Sequence, residues 1–245
     1  MKGIILAAGR GSRMQELTLN VPKCFLEINS KPLIEIQLNQ LRKAGIKNIA
    51  IVTGYKNELL SKYNQKLIHN ENWANTQMVS SLIKAKDWIG DDSFIISYSD
   101  IFYDSDAISK IIKRKDELAI LYDLNWLDLW KKRFINPLDD AETFKVDEND
   151  FVTEIGNKTD DIKEIQGQYM GILLFSASGW KKTLNILKDI ELKEIQKLDM
   201  TSLLQLIILK NKIKIKAIPF EGSWGEVDNK KDLEFYNSEF KDFFI

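Results

Sequence analysis

Gly3-Ile4-Ile5-Leu6-Ala7-Ala8-Gly9-Arg10-Gly11-Ser12-Arg13, followed after a polar loop by Pro22-Lys23, is the stretch on which the reading of the chain turns. Gly3 to Ala8 is a short apolar run, β-branched at Ile4 and Ile5. It reads as a buried parallel strand, although periodicity alone does not separate it from a buried helix. The run passes directly into Gly9 and Gly11. Glycine lets the backbone approach a ligand closely, and successive backbone N–H groups can form an anion-binding concavity. Arg13 and Lys23 add two fixed positive charges. A strand, a glycine loop and two cations make a candidate triphosphate site. The spacing is neither a full dinucleotide fingerprint, because position 14 is Met, nor a P-loop, because no Gly-Lys-Ser/Thr follows. On Gly9 and Gly11 alone, a plain strand-to-loop connection explains the string equally well.

Composition narrows the field. The chain has 245 residues, 44% of them hydrophobic, which suits one large α/β domain over residues 1–245. Net charge is −1 with acids and lysines interspersed, so no nucleic-acid or membrane surface is expected. The single cysteine, Cys24, excludes an intramolecular disulfide and reads as a small buried hydrophobe. The single histidine, His69, excludes a His-based zinc site and a His-x-Gly-His type cytidylyltransferase. The apolar start is too short for a signal peptide and no run reaches membrane-spanning length, so a cytoplasmic protein is expected.

Outward from the opening strand, Pro32 to Ala44 carries apolar residues at helical spacing, with Gly45 just past its end. Ile46 to Val52 reads as the next strand, giving the β-loop-α-β unit of a parallel sheet. A short helix over 57–62 and a short strand over 66–68 follow. Met78 to Ile89 reads as one helix. Before and within it, Asn75, Thr76, Gln77, Ser80 and Ser81 supply the donors and acceptors that a nucleobase edge requires. The same string also suits a helix cap at Thr76 or Asn75. Ser93 to Tyr98 is a sheet-interior strand ending at Asp100. A carboxylate at the carboxyl end of a parallel strand lies where α/β sheets bind ligands, and oxygen ligands suit Mg²⁺.

Beyond it the pattern predicts a helix over 106–114 and a strand over 118–122. Residues 123–170 form a candidate acceptor-binding insertion or lid. Tyr122, Trp126 and Trp130 could form a wall for a second substrate, with a quaternary amine held on the Trp faces. Aromatics one helical turn apart are more often core. Phe144 to Val146 and Phe151 to Ile155 read as paired strands, and Lys158 could meet an acceptor phosphate or be a solvated turn residue. Gly171 interrupts the strand 168–175, which marks close approach of a ligand or another backbone. Helices are expected over 178–187 and 199–210, with Ser178 and Asp199 as caps, then a half-exposed strand over 213–218. In Trp224-Gly225-Glu226-Val227-Asp228 two acids alternate across an apolar residue, so on extended backbone both face one side. A helix is expected from Asn229 to the end of the chain.

Leu6-Ala7-Ala8-Gly9-x-Gly11-x-Arg13 with Pro22-Lys23 resembles the signature of the nucleotidylyltransferases. Asn72 to Leu82 is similar to the Asn-x-x-x-Thr-Asn-x-x-x-Ser-Leu segment of their CTP:phosphocholine branch, with Gln77 where that pattern has Asn. Trp224 to Asp228 resembles the family's Trp-x-Glu-Ile/Val-Asp string. The resemblance implies a Rossmann-like three-layer α/β/α fold with a mixed, mostly parallel central sheet. It implies that Leu6 to Ser12 wrap the nucleotide phosphates, that Arg13 contacts pyrophosphate and that Lys23 contacts the reacting phosphates. It makes Asp100 and Asp228 the Mg²⁺ ligands, with Glu226 and Gly171 beside the acceptor. The implied function is a CTP-dependent cytidylyltransferase acting on phosphocholine, 2-aminoethylphosphonate or a phosphorylated amide such as phosphoglutamine, as monomer or homodimer, for surface polysaccharide or lipid decoration. The rivals are a sugar-1-phosphate nucleotidylyltransferase using dTTP, UTP or GTP, and a catalytically silent nucleotide-binding regulatory domain.

Overall fold

A computed structural model describes residues 1–240. Seven strands build the central sheet: β1 (Lys2–Ala7), β2 (Asn48–Thr53), β3 (Lys66–His69), β4 (Phe94–Tyr98), β5 (Leu118–Asp123), β6 (Gln168–Phe175) and β7 (Ile215–Phe220). They lie in the order β7-β5-β6-β4-β1-β2-β3. Neighbours run parallel except at β6, which is antiparallel to both β4 and β5. The sheet is therefore mixed and mostly parallel, of the Rossmann-like α/β type.

Alternation along the strands feeds two cores. In β1, Ile5 and Ala7 enter one core while Ile4 and Leu6 enter the other. In β4, Ile95 faces the first, and Phe94 and Ile96 the second. A strand covered on both faces needs an almost unbroken apolar run, which is what Ile4 to Ala8 supplies. Helices Leu33–Lys43 and Ser105–Ile111 cover the first core through Ile34, Leu38, Leu41 and Ile108. Helices Met78–Lys84, Ala177–Leu187 and Met200–Lys210 cover the second through Leu82, Trp180, Leu203 and Ile207. A third cluster, with Met14, Ile28, Leu33, Phe102, Val227 and Tyr236, joins the start of the chain to the helix Lys230–Glu239. Among the described residues no helix is long and apolar enough to cross a membrane.

Several local expectations shift. The helix expected over 78–89 divides into Met78–Lys84 and Lys86–Ile89, because the Ala85 N–H closes a tight turn onto Leu82. Neither Thr76 nor Asn75 caps it; Gln77 holds the cap position without a side-chain bond. Ser176, not Ser178, caps the helix 177–187, its Oγ accepting from the Gly179 N–H at 3.0 Å. Residues 126–133 form a helix inside a region that shows little regular pattern. Asp199 does cap its helix, accepting from the Ser202 N–H. Asn229 and Asp232 form a capping box for the last helix, and its expected continuation over 241–245 lies outside the described residues. Gly171 has φ +74°, and a Cβ there would lie 2.8 Å from the Tyr98 ring. The close approach that requires glycine is thus to a side chain of β4.

Cys24 is fully buried, and burial pushes its thiol up to about 12. The native protein at pH 8 is expected to be alkylated by iodoacetamide roughly a hundredfold or more slowly than the unfolded chain, since the thiolate is the reactive form. Mass spectrometry of a labelling time course checks this, and labelling at the unfolded rate would contradict the burial.

Candidate active site

The glycine loop is shaped by what it must clear. Beyond β1, the Ala8 carbonyl accepts from the Tyr55 N–H at 3.0 Å, and the chain reverses at Gly11 with φ +72°. A Cβ at Gly11 would come within 2.8 Å of Lys23 Cβ, so glycine both permits the left-handed turn and lets the loop close against the lysine stem. Thr18 Oγ1 donates to the Gly11 carbonyl at 3.0 Å and fixes the turn.

Lys23 is the centre of an ionic cluster. Its Nζ donates to Asp100 Oδ2 at 2.7 Å and to Asp228 Oδ1 at 3.1 Å. Arg13 Nη2 donates to the same Asp228 Oδ1 at 2.6 Å. Glu226 joins them: oxygens of Asp100, Glu226 and Asp228 lie within 4.8 Å of one another. Two acids remote from Asp100 in sequence meet it because Trp224–Glu226 pairs antiparallel with Ile101–Tyr103, and the Val227 N–H donates to the Asp100 carbonyl at 2.9 Å. Val227 is buried in the third cluster, which turns Glu226 and Asp228 together toward Lys23.

The electrostatics follow from this packing. Burial opposes the Lys23 ammonium, but Asp100, Asp228 and Glu226 outweigh it and hold the pKa above its ordinary value. Burial also opposes the Asp228 carboxylate, but Lys23 and Arg13 outweigh it and hold its pKa below the ordinary value. Glu226 goes the other way: burial, then the carboxylates of Asp228 and Asp100, raise it well above the usual range. Asp100 Oδ1 is buried and has no hydrogen-bond partner. A buried carboxylate oxygen without a partner, beside two further carboxylates, is the donor set that a hard divalent cation satisfies. The residues therefore fit Mg²⁺.

Arg133 and Asp232 escaped the sequence reading. The Arg133 side chain is excluded from solvent, donates to both Asp232 oxygens at 3.0 and 3.1 Å, and approaches Asp228 Oδ2 to 3.6 Å. Asp232 Oδ2 in turn accepts from the backbone N–H groups of Asp228 and Asn229 at 2.9 and 3.1 Å. The pair fixes the backbone that carries Asp228. Lys131-Lys132-Arg133 resembles any solvated helix end, so only the capping pattern Asn229-x-x-Asp232 was a visible signal.

A cavity of about 370 Å³ adjoins the cluster. Arg13, Glu226 and Asp228 line it, as do Tyr98, Tyr169 and Trp130, and a second set of charges at Asp140, Glu142, Lys158 and Asp199. Lys158 and Trp130 are thus placed on it. Tyr122 and Trp126 are not. Tyr122 packs on Phe144 in the second core and Trp126 on Trp130 in the first, so the expected three-aromatic wall does not form. The Trp130 indole N–H is committed to Asp140 Oδ2 at 3.1 Å.

The polar string lies beside the loop. The Asn70 N–H donates to the carbonyl of Thr53, at the end of β2, and a Cβ at Gly54 would meet both the Ala8 carbonyl at 2.4 Å and Trp73 Cβ at 2.5 Å. Within it, Asn70 Nδ2 donates to Thr76 Oγ1 and Ser81 Oγ, both at 3.0 Å, and Ser80 Oγ donates to the Ile195 carbonyl. Asn75 and Gln77 are exposed, and their side chains make no hydrogen bond among the described residues. Arg10 lies over the Tyr55 ring, 5.6 Å from its centre.

Comparisons with known proteins bear on the family and the fold. A family model described as "MobA-like NTP transferase domain" matches residues 3–143. The CTP:phosphoglutamine cytidylyltransferase of Campylobacter jejuni subsp. jejuni serotype O:2 is 38% identical, over 96% of this chain and 98% of that protein. The choline-phosphate cytidylyltransferase of Streptococcus pneumoniae is 40% identical over 39% of this chain and 43% of its own length. The solved inositol-1-phosphate CTP transferase of T. maritima superposes with a TM-score of 0.79 at 20% identity, covering 98% of this chain and 95% of that one, which shows the shared fold.

Arg133→Met would leave the Asp232 carboxylate buried without its partner, a change that costs about 3–5 kcal/mol. Urea unfolding is expected to show that loss, with Asp232→Asn costing less because its amide still accepts from the Asp228 N–H. An Arg133→Met protein of wild-type stability would contradict the pairing.

Proposed function

The chain is a nucleotidyltransferase that belongs to the MobA-like NTP transferase domain family, and from that premise we propose that it joins CTP to a small phosphate or phosphonate, with Mg²⁺, releasing pyrophosphate. The observation that carries the reading is the Lys23 ammonium held between Asp100 and Asp228 beneath the glycine loop. The names of the relatives support CTP as donor and phosphoglutamine or phosphocholine as acceptor class, with 2-aminoethylphosphonate of the same chemistry.

An acceptor phosphate or phosphonate oxygen attacks the α-phosphorus of CTP in line. The new P–O bond forms as the bond between the α-phosphorus and the bridging oxygen breaks, and pyrophosphate leaves with the electron pair. Both reactants are anions, so the barrier is mainly one of positioning and charge. Asp100, Glu226 and Asp228 would hold Mg²⁺, which when bound supplies positive charge to the phosphates. Lys23 carries its proton at neutral pH and neutralises the transferring group, while Arg13, exposed at the mouth of the loop, neutralises the pyrophosphate. Leu6 to Ser12 enclose the phosphates, and Asn75 and Gln77 present free amides to the cytosine edge. Ser81 and Thr76 hold that segment through Asn70. The segment 123–170, as part of one domain over 1–245, closes over the acceptor. No side chain needs to form a covalent intermediate.

Pyrophosphate release with Mg²⁺, across four NTPs and a panel of small phosphates, phosphonates and sugar 1-phosphates, tests the reading. CTP with an amino-phosphate or amino-phosphonate is expected to be the productive pair, and release only with a sugar 1-phosphate would overturn it. Lys23→Ala and Asp100→Ala are each expected to lose roughly a hundredfold or more in kcat, with folding retained by circular dichroism. Near wild-type turnover in either would remove that residue from the role.

A further inference from the structure

The cavity beside the cluster is lined by a carboxylate, Glu142, that has no partner among the described residues, and by an ammonium, Lys158, whose hydrogen bond there goes to a neutral backbone carbonyl. Glu142 stands just before the strand Phe144–Val146, half-buried, and its carboxylate makes no hydrogen bond or ion pair among the described residues. Its Oε2 is 3.7 Å from where a Cβ on Gly156 would stand, so the carboxylate lies against the 156–158 turn that presents Lys158. Among the described residues Lys158 Nζ reaches only the Asp140 carbonyl, at 3.3 Å. Lys158 and Glu142 attract one another, yet they do not approach within ion-pair distance. Each neighbouring acid has one oxygen engaged: Asp140 Oδ2 accepts from Trp130, and Asp199 Oδ1 accepts from the Ser202 N–H and Thr201 Oγ1.

Two groups of opposite sign on one cavity wall, neither in an ion pair among the described residues, describe the ligand that fits them. A quaternary ammonium donates no hydrogen bond and is held on open aromatic faces. Here Tyr122 and Trp126 are turned into the cores, Tyr98 and Tyr169 pack edge-on against each other, and the Trp130 ring already carries the Arg133 guanidinium, 4.9 Å from its centre. A primary ammonium donates hydrogen bonds and calls for a carboxylate, while a ligand carboxylate calls for an ammonium. We propose that Glu142 and Lys158 are specificity-determining residues that read the ammonium and the carboxylate of an α-amino-acid head, so that the acceptor is a phosphorylated amino acid or amino-acid amide whose phosphoryl end reaches Lys23. This rests on the transfer reading above and narrows its acceptor class.

Three ligands separate the two contacts. Phosphoglutamine carries both head charges, 2-aminoethylphosphonate only the primary ammonium, and phosphocholine only a quaternary one. Calorimetric binding of each to the full chain, in wild type and variants, reads the site without relying on turnover. Wild type is expected to bind phosphoglutamine most tightly and phosphocholine least. Lys158→Met is expected to weaken phosphoglutamine about tenfold relative to 2-aminoethylphosphonate, with Lys158→Arg restoring most of that loss. Glu142→Gln is expected to weaken both primary ammonium ligands relative to phosphocholine. Equal changes for all three ligands, no change, or a wild-type preference for phosphocholine would overturn the assignment. Pyrophosphate release run alongside distinguishes the two claims. Binding with this selectivity but without release would fault the transfer reading and keep the head-group assignment, whereas release with phosphocholine alone would do the reverse.

Discussion

Three carboxylates whose oxygens come within 4.8 Å of one another cannot be held in a folded protein without compensation, and the ammonium of Lys23 is what compensates them here. Each surrounding feature serves that placement. Gly11 lacks the Cβ that would strike the lysine stem. The pairing of Trp224–Glu226 with Ile101–Tyr103 delivers two acids to the third, and Val227 anchors that short strand in its own apolar cluster. Arg133 and Asp232 then fix the backbone at Asp228 from behind. The cluster sits at the carboxyl ends of β1 and β4, where a mostly parallel sheet leaves room for a ligand. The charge balance is incomplete in one respect: an Asp100 oxygen is buried and unpartnered, and it is there that a divalent cation fits.

The parts of this arrangement that were legible in the sequence are those set by local strings. An apolar run ending in glycines announces a strand and its loop; an acid at a strand end, or two acids alternating across a valine, announces a face. What the sequence concealed was set by packing between distant segments. Nothing in Gln168–Phe175 marks it as the one antiparallel strand of the sheet, because its direction follows from the route of the chain before it. Trp126 and Trp130 lie one helical turn apart, as a wall for a ligand would, but the helix turns both toward the core and leaves only Trp130 touching the cavity. Lys131-Lys132-Arg133 has the look of a solvated end, and the fold draws only its last member inside. Ser176 caps a helix where Ser178 was expected, since the helix begins one residue earlier, at Ala177.

The acceptor side follows a different economy from the nucleotide side. Around Lys23 the chain supplies its own counter-charges and the centre is preorganised. On the cavity wall Glu142 and Lys158 are left facing one another without closing, and their electrostatic potential is available to a guest. A half-buried carboxylate without a partner weighs against folding, so the retention of Glu142 beside a phosphate-reacting centre fits recognition of a guest.

On the proposed reading, Asp100, Glu226 and Asp228 form one cation site completed by a nucleotide. Electron paramagnetic resonance of Mn²⁺, titrated into the wild-type chain with CTP present and into Asp228→Asn, tests it directly. The wild type is expected to bind Mn²⁺ stoichiometrically, and the variant to lose that binding or weaken it at least about tenfold, since one charged oxygen ligand is removed. Equal Mn²⁺ affinity in the two proteins would place the cation elsewhere and contradict it.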